Sequence, residues 1–134
     1  MSKSYGNTVA LFAPAKELRS VVMKFKTGSE PLEAPKDPET SVPFQLYKLV
    51  ASPADIETIR KKLVEGGFGW GHLKEALYDA LDAELAPKRA VYDELRADEA
   101  RLDAILEEGA ERARAIARAT MARVRAATGI ATPR

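Results

Sequence analysis

The chain has 134 residues, enough for about one domain with one buried core. Its 21 Lys and Arg against 20 Asp and Glu leave a net charge of only +1, so no global field draws it to nucleic acid, and any such surface has to come from local segregation. Cysteine is absent, which excludes disulfides and a thiolate zinc site, and the single histidine leaves one candidate base for a Ser-His-Asp arrangement.

No apolar run of about 18 residues offers a membrane span, and the N-terminus lacks the basic-then-apolar order of a signal peptide, so a cytoplasmic protein with no membrane partner is expected. The chain opens Met1-Ser2-Lys3-Ser4-Tyr5-Gly6-Asn7-Thr8. Two small hydroxyl residues flank one lysine, and a Gly-Asn pair that tolerates positive φ follows, so the segment can turn sharply and set an ammonium against an anion. As bare chemistry, a lysine between serines at a chain end is usually a frayed, solvated terminus.

Thr8 to Phe12 is a short apolar run, after which Pro14 marks a helix start. Leu18, Val21, Val22 and Phe25, at three- and four-residue spacing, give one buried stripe through about Lys26. Pro31, Pro35, Pro38 and Pro43 forbid a sustained helix or central strand between residues 27 and 43. That stretch reads as an extended connector over the surface and a candidate linker boundary. Phe44, Leu46, Tyr47, Leu49 and Val50 form a short apolar helix, and Ser52-Pro53-Ala54-Asp55 starts another, with Ser52 as cap and Asp55 near the positive end of the dipole. Ile56, Ile59 and Leu63 form its inner face, and Gly66 stops it.

The run Gly66-Gly67-Phe68-Gly69-Trp70-Gly71 has neither the GxGxxG spacing nor the GK[ST] ending of a phosphate loop, and no strand leads into it. It reads as a helix cap and tight turn with Phe68 and Trp70 plugging the core, and His72 as an exposed first-turn residue. A long helix from about Gly71 to Arg96 carries Leu73, Leu77, Leu81, Leu85, Tyr92 and Leu95, with a kink expected at Pro87. Asp98 caps a last helix to about Thr128, ended by Gly129 and Pro133, with apolar positions Leu102, Ile105, Leu106, Ala113, Ile116, Ala117, Met121 and Val124. Gly109 and Ala110 midway leave room for a close neighbour. No strand pattern competes, so the expected fold is all-α, an elongated helical bundle.

These residues together resemble a known family. Met1-Ser2-Lys3-Ser4 is similar to the KMSKS signature of class I aminoacyl-tRNA synthetases without its first lysine, and Tyr5-Gly6-Asn7 looks like the continuation in the tryptophanyl and tyrosyl branch. Pro35-Lys36-Asp37-Pro38-Glu39-Thr40 with Phe44-Gln45-Leu46-Tyr47, Gly69-Trp70-Gly71 with Lys74, Leu85-Ala86-Pro87 with Arg89, and Glu108 through Arg114 with Ala117 extend the resemblance to tryptophanyl-tRNA synthetases nearly end to end. Gly28 and Ser41 depart from it, standing where an acidic residue and a cysteine are expected. The resemblance implies a loop and connector over residues 1–13 and a helical anticodon-binding-type domain over residues 14–134.

It further implies that Lys3 is catalytic. Met1, Ser2, Lys3 and Ser4 would lie against the phosphates of ATP, with Lys3 stabilising charge that builds up as pyrophosphate leaves; a compact, flexible ammonium suits that task. The implied parent is a tryptophan–tRNA ligase using ATP with Mg²⁺, whose other partners are tRNA and a catalytic domain absent from these residues. This chain alone shows no nucleotide-binding βαβ pattern and no HIGH-type motif, so it is not expected to catalyse by itself or to bind a cofactor or metal of its own. Enzymes of this branch are dimers, largely through the catalytic half, which leaves a homodimer of this chain as a candidate. The alternative is a free-standing tRNA- or RNA-binding helical module derived from a synthetase.

Charge segregates along the last helix. Residues 93 to 111 hold eight acids against two arginines, a net of −6, whereas residues 112 to 134 hold six arginines and no acid, a net of +6. Arg114, Arg118 and Arg125 line one edge of the apolar stripe and Arg112 with Arg123 the other. Forked guanidinium donors could hold RNA phosphates, and the family's helical domain meets the tRNA anticodon stem and loop. Cations at a helix C-terminus are also favoured by the dipole, and Glu111 is spaced to pair with Arg114, so solvated charge accounts for the same pattern.

Overall fold

A computed structural model describes residues 8–130. Five helices follow one another, α1 (Ala15–Met23), α2 (Val42–Val50), α3 (Pro53–Glu65), α4 (Trp70–Ala97) and α5 (Glu99–Thr128), and no strand occurs among the described residues. The all-α expectation holds. The chain divides into two compact units, one ending at Tyr92 and the other starting at Asp93.

Local chemistry accounts for the helix ends. Ser41 Oγ accepts from Phe44 N at 3.5 Å, Ser52 Oγ from Asp55 N at 3.2 Å and Asp98 Oδ1 from Arg101 N at 3.0 Å, each satisfying one of the donors a helix start leaves open. Pro43 and Pro53 sit in the first turns of α2 and α3, where a missing N–H costs nothing. Gly129 closes α5 in the left-handed region, φ 69°, with Ile130 N donating to the Arg125 carbonyl at 3.2 Å.

In the first unit four helices share one core: Leu18 and Val22 of α1, Phe44 and Tyr47 of α2, Ile59 and Leu63 of α3, and Leu73, Leu77 and Leu85 of α4. Each fully buried leucine contributes roughly 1.5–3 kcal/mol relative to exposure. Phe44 is completely buried, with the Arg60 guanidinium 5.1 Å from its ring centroid. Burial, with Asp55 adding to it, raises the Tyr47 phenol above its usual range. Phe68 and Trp70 pack half-buried against this core, as the glycine-rich turn predicts.

The proline-rich stretch before α2 lacks regular structure, as expected, but it does not simply run over the surface. Lys36, Pro38, Ser41 and Pro43 are buried. The Lys36 backbone N–H donates to the Leu63 carbonyl at 2.8 Å, and its ammonium donates to the carbonyls of Pro31, Leu32 and Ala34 at 2.8, 3.0 and 2.8 Å. A charge 3% exposed is tolerable only with such partners. Gly66, at φ 85°, lets the turn after α3 meet this stretch: a Cβ there would lie 2.2 Å from the Glu33 carbonyl oxygen, and Gly67 N donates to Leu32 O at 3.0 Å.

In the second unit α5 buries none of its residues. The expected close neighbour at Gly109 is absent among the described residues, since a Cβ added there would meet nothing within 4 Å.

Candidate functional site

Met1, Ser2, Lys3 and Ser4 lie outside the described residues, as do Tyr5, Gly6 and Asn7. From Thr8 onward the segment is tied down. Val9 packs against the core of the first unit, Ala13 N donates to Ala10 O at 3.3 Å, and Phe12 stacks on Tyr92 of α4 with centroids 4.5 Å apart and planes 8° from parallel. Offset stacking of this kind adds about 0.5–1.5 kcal/mol beyond the area it buries. Val9 and Phe12 thus fasten this segment to the core and to α4.

The arginine end of α5 is arrayed on a regular helix. Arg114 Nη1 lies 2.7 Å from Glu107 Oε1, and Arg112 Nη2 lies 4.0 Å from Glu108 Oε1. The Glu111 partner expected for Arg114 is not the one used: Glu107, two turns back, takes it. Arg118, Arg123 and Arg125 have no acidic partner among the described residues. Arg114, Arg118 and Arg125, with Ala117, Met121 and Ala122, line a shallow recess of about 360 Å³. Unpaired guanidinium groups along one helix edge can bridge phosphate oxygens, and the methyl and thioether groups beside them can cover the apolar face of a base or another helix.

A second recess of about 230 Å³ lies in the first unit, lined among others by Lys26, Glu30, Asp37, Ser41 and Trp70. Trp70 Nε1 donates to Glu30 Oε2 at 2.9 Å, and this bond holds the Glu30 carboxyl below its ordinary value. Sequence reading places Trp70 in the turn but misses Glu30, which is forty residues away and has no local signal. His72 is exposed, as expected; its Nδ1 accepts from Gly69 N at 3.3 Å, which closes the start of α4. No cluster of three or more His, Cys, Asp or Glu able to hold a metal ion occurs among the described residues, and no described helix is long and apolar enough to cross a membrane.

No family model matches the chain. Known proteins do. A tryptophan–tRNA ligase of Rhodopirellula baltica is 44% identical over 130 residues, covering 97% of this chain and 41% of the relative. One from Xanthomonas axonopodis pv. citri is 41% identical over 131 residues, covering 97% of this chain and 30% of the relative. Among solved structures, tryptophanyl-tRNA synthetase from Campylobacter jejuni, complexed with ADP and tryptophan, superposes with a TM-score of 0.89 at 34% identity, over 97% of this chain and 41% of that one. The chain therefore spans well under half the length of the relatives it matches, and it corresponds to their C-terminal portion.

Proposed function

We propose that this chain, similar over 97% of its length to the C-terminal portion of tryptophan–tRNA ligases, does that portion's work: it supplies the KMSKS-type loop and the helices that meet tRNA. The observation that carries the reading is the extent of the match, which takes in the capped helices, the buried Lys36 and the arginine end of α5 together. In the whole cytoplasmic enzyme the tryptophan carboxylate attacks the α-phosphorus of ATP. The bond to the β,γ-pyrophosphate breaks, and the aminoacyl group passes from the adenylate to the tRNA 3′ end. Lys3 acts on the leaving phosphates, helped by Ser2, Ser4 and the loop backbone, while Gly6 and Asn7 shape the turn. Mg²⁺ comes with the nucleotide.

The described residues position that loop rather than perform the chemistry. Phe12 on Tyr92 and Val9 in the core fix the point from which the loop departs. Arg112, Arg114, Arg118, Arg123 and Arg125 offer donors to the tRNA backbone. Purified alone, the chain is expected to give no tryptophan-dependent pyrophosphate exchange, because its sequence carries neither a nucleotide-binding βαβ pattern nor a HIGH-type motif to hold the reactants together.

A second reading, a free-standing RNA-binding module, is favoured by the unpaired Arg118, Arg123 and Arg125 and does not need Lys3. Labelled tRNA titrated at two salt concentrations tests the shared part of both. Binding is expected to fall steeply with salt, and changing Arg114, Arg118 and Arg125 to Ala is expected to flatten that slope by about two to three units. Unchanged affinity and slope would clear these arginines of any RNA role. Persistence of pyrophosphate exchange in the isolated chain would contradict the division of labour.

A further inference from the structure

We propose that the recess beside Trp70 receives one unpaired RNA base bearing an amine next to an acceptor ring nitrogen, the edge that cytosine and adenine share and uracil lacks. The inference deepens the tRNA reading and rests on it. To the phosphate contacts of the arginine end, which carry no sequence information, it adds a place where a base is read.

The walls of the recess carry acceptors and donors side by side. Glu30 Oε2 takes the Trp70 indole N–H at 2.9 Å, and Oε1 is left without a partner among the described residues. Asp37 is oriented in the same way, with Oδ1 accepting from Glu39 N at 2.9 Å and Oδ2 open. Ser41 supplies a donor: it is 8% exposed, its Oγ accepts from Phe44 N, and its hydroxyl hydrogen has no acceptor among the described residues. A buried hydroxyl left in this state calls for a partner. Lys26 adds an ammonium with no acidic partner among the described residues.

This mixture selects the occupant. A carboxylate accepts the amine hydrogens of cytosine or adenine, while a hydroxyl or an ammonium donates to the adjoining ring nitrogen. Uracil would turn a carbonyl oxygen toward the carboxylate instead, so charge rejects it although its shape is the same. A lysine or arginine side chain from a protein partner would satisfy Glu30 and Asp37 but leave the Ser41 hydrogen and Lys26 unanswered. The volume of about 230 Å³ admits one flat ring system, and Trp70 with Val42 gives it apolar walls. Bases splayed out of single-stranded RNA are read on such edges beside aromatic side chains.

Gly28 makes the arrangement possible. It lines the recess, and a Cβ there would collide with Glu30 Oε2, driving the carboxylate off the indole.

The experiment titrates the full chain with hexanucleotides of cytidine, adenosine or uridine, which are equal in charge, and follows the fluorescence of Trp70, the chain's single tryptophan. The cytidine and adenosine hexamers should quench it and bind about tenfold tighter than the uridine hexamer, all three with the same salt dependence. Glu30→Gln keeps an acceptor for the indole but brings an amide N–H2 to the recess, so it should erase the preference. Gly28→Ala should erase it too, with circular dichroism confirming that the helices are intact. Hexamers that bind alike, hexamers that bind without changing Trp70 fluorescence, or a Glu30→Gln chain that keeps the preference would each overturn the proposal while leaving the arginine contacts standing. Equal quenching by free cytidine monophosphate at the same concentrations would overturn it as well, since the recess would then serve a nucleotide. Failure to bind whole tRNA at any salt concentration would remove the reading beneath it.

Discussion

Arg89 reaches back across Pro87 to Asp82, placing Nη2 at 3.0 Å from Oδ1 between side chains only 14 and 30% exposed. Proline at position 87 donates no N–H to the carbonyl of Ala83, so the helix lacks one rung there. The ion pair spans that gap from both sides and holds α4 as one helix up to Tyr92, on which Phe12 stacks. Arg89→Ala is therefore expected to lower stability by about 1–2 kcal/mol, read as a thermal shift, because it leaves a half-buried carboxylate unpaired. Arg89→Lys should recover only part of this, since a point charge does not reproduce the planar fork. An unaltered melting temperature for Arg89→Ala would show that the pair is ornamental.

Lys36 anchors the proline-rich stretch through three carbonyls. Replacing it with Met keeps the buried stem and removes the donors. The expected loss is about 2–3 kcal/mol in denaturant unfolding, as three part-buried acceptors lose a charged partner. A Met variant as stable as the parent would mean that water replaces the ammonium without cost.

Gly66 and Gly67 separate strain from collision. Both have positive φ, 85° and 76°, but a Cβ at Gly66 would sit 2.2 Å from the Glu33 carbonyl oxygen, whereas one at Gly67 would meet nothing within 4 Å. Gly67→Ala should cost about 1 kcal/mol from backbone strain alone, and Gly66→Ala at least about 2 kcal/mol, since it also pushes the connector away. Equal melting temperatures for the two variants would refute the contact.

The Glu30 carboxyl is held below its ordinary value of 4.5, first by the Trp70 indole N–H. A depressed folded-state pKa contributes stability that is present above the unfolded pKa and is lost as pH falls through the folded one. The single tryptophan should therefore change its fluorescence on acidification with a midpoint below 4.5, and Glu30→Gln should abolish that step. A transition centred above 4.5 would reverse the sign of the interaction.

Much of the scaffold can be read from local chemistry. Ser52 and Asp98 announce helix starts, Gly66 and Gly129 announce ends, and three- to four-residue spacing picks out Leu18 with Val22 and Leu73 with Leu77 as core, whereas the Ser41 cap of α2 is seen only in the fold. These signals act within one helical turn. The pairs that were not legible, Glu30 with Trp70 and Lys36 with the Pro31 to Ala34 carbonyls and Leu63, depend on how distant elements or an irregular turn fold back on one another, which no periodicity encodes. The stripe on α5 is visible as a pattern, and among the described residues nothing covers it. For the lysine-bearing segment the motif alone carries the argument, because Met1 to Ser4 lie outside the described residues.

The most direct measurement joins this chain to the preceding portion of the Rhodopirellula baltica ligase, in place of the segment it matches, and follows tryptophan-dependent ATP–pyrophosphate exchange. The hybrid is expected to exchange, and Lys3→Ala in the same hybrid to lose about a hundredfold or more in kcat with the KM for tryptophan little changed, as befits a donor used at the departing phosphates. A folded hybrid that binds tryptophan and ATP without exchange, or a Lys3→Ala hybrid as fast as its parent, would contradict the account.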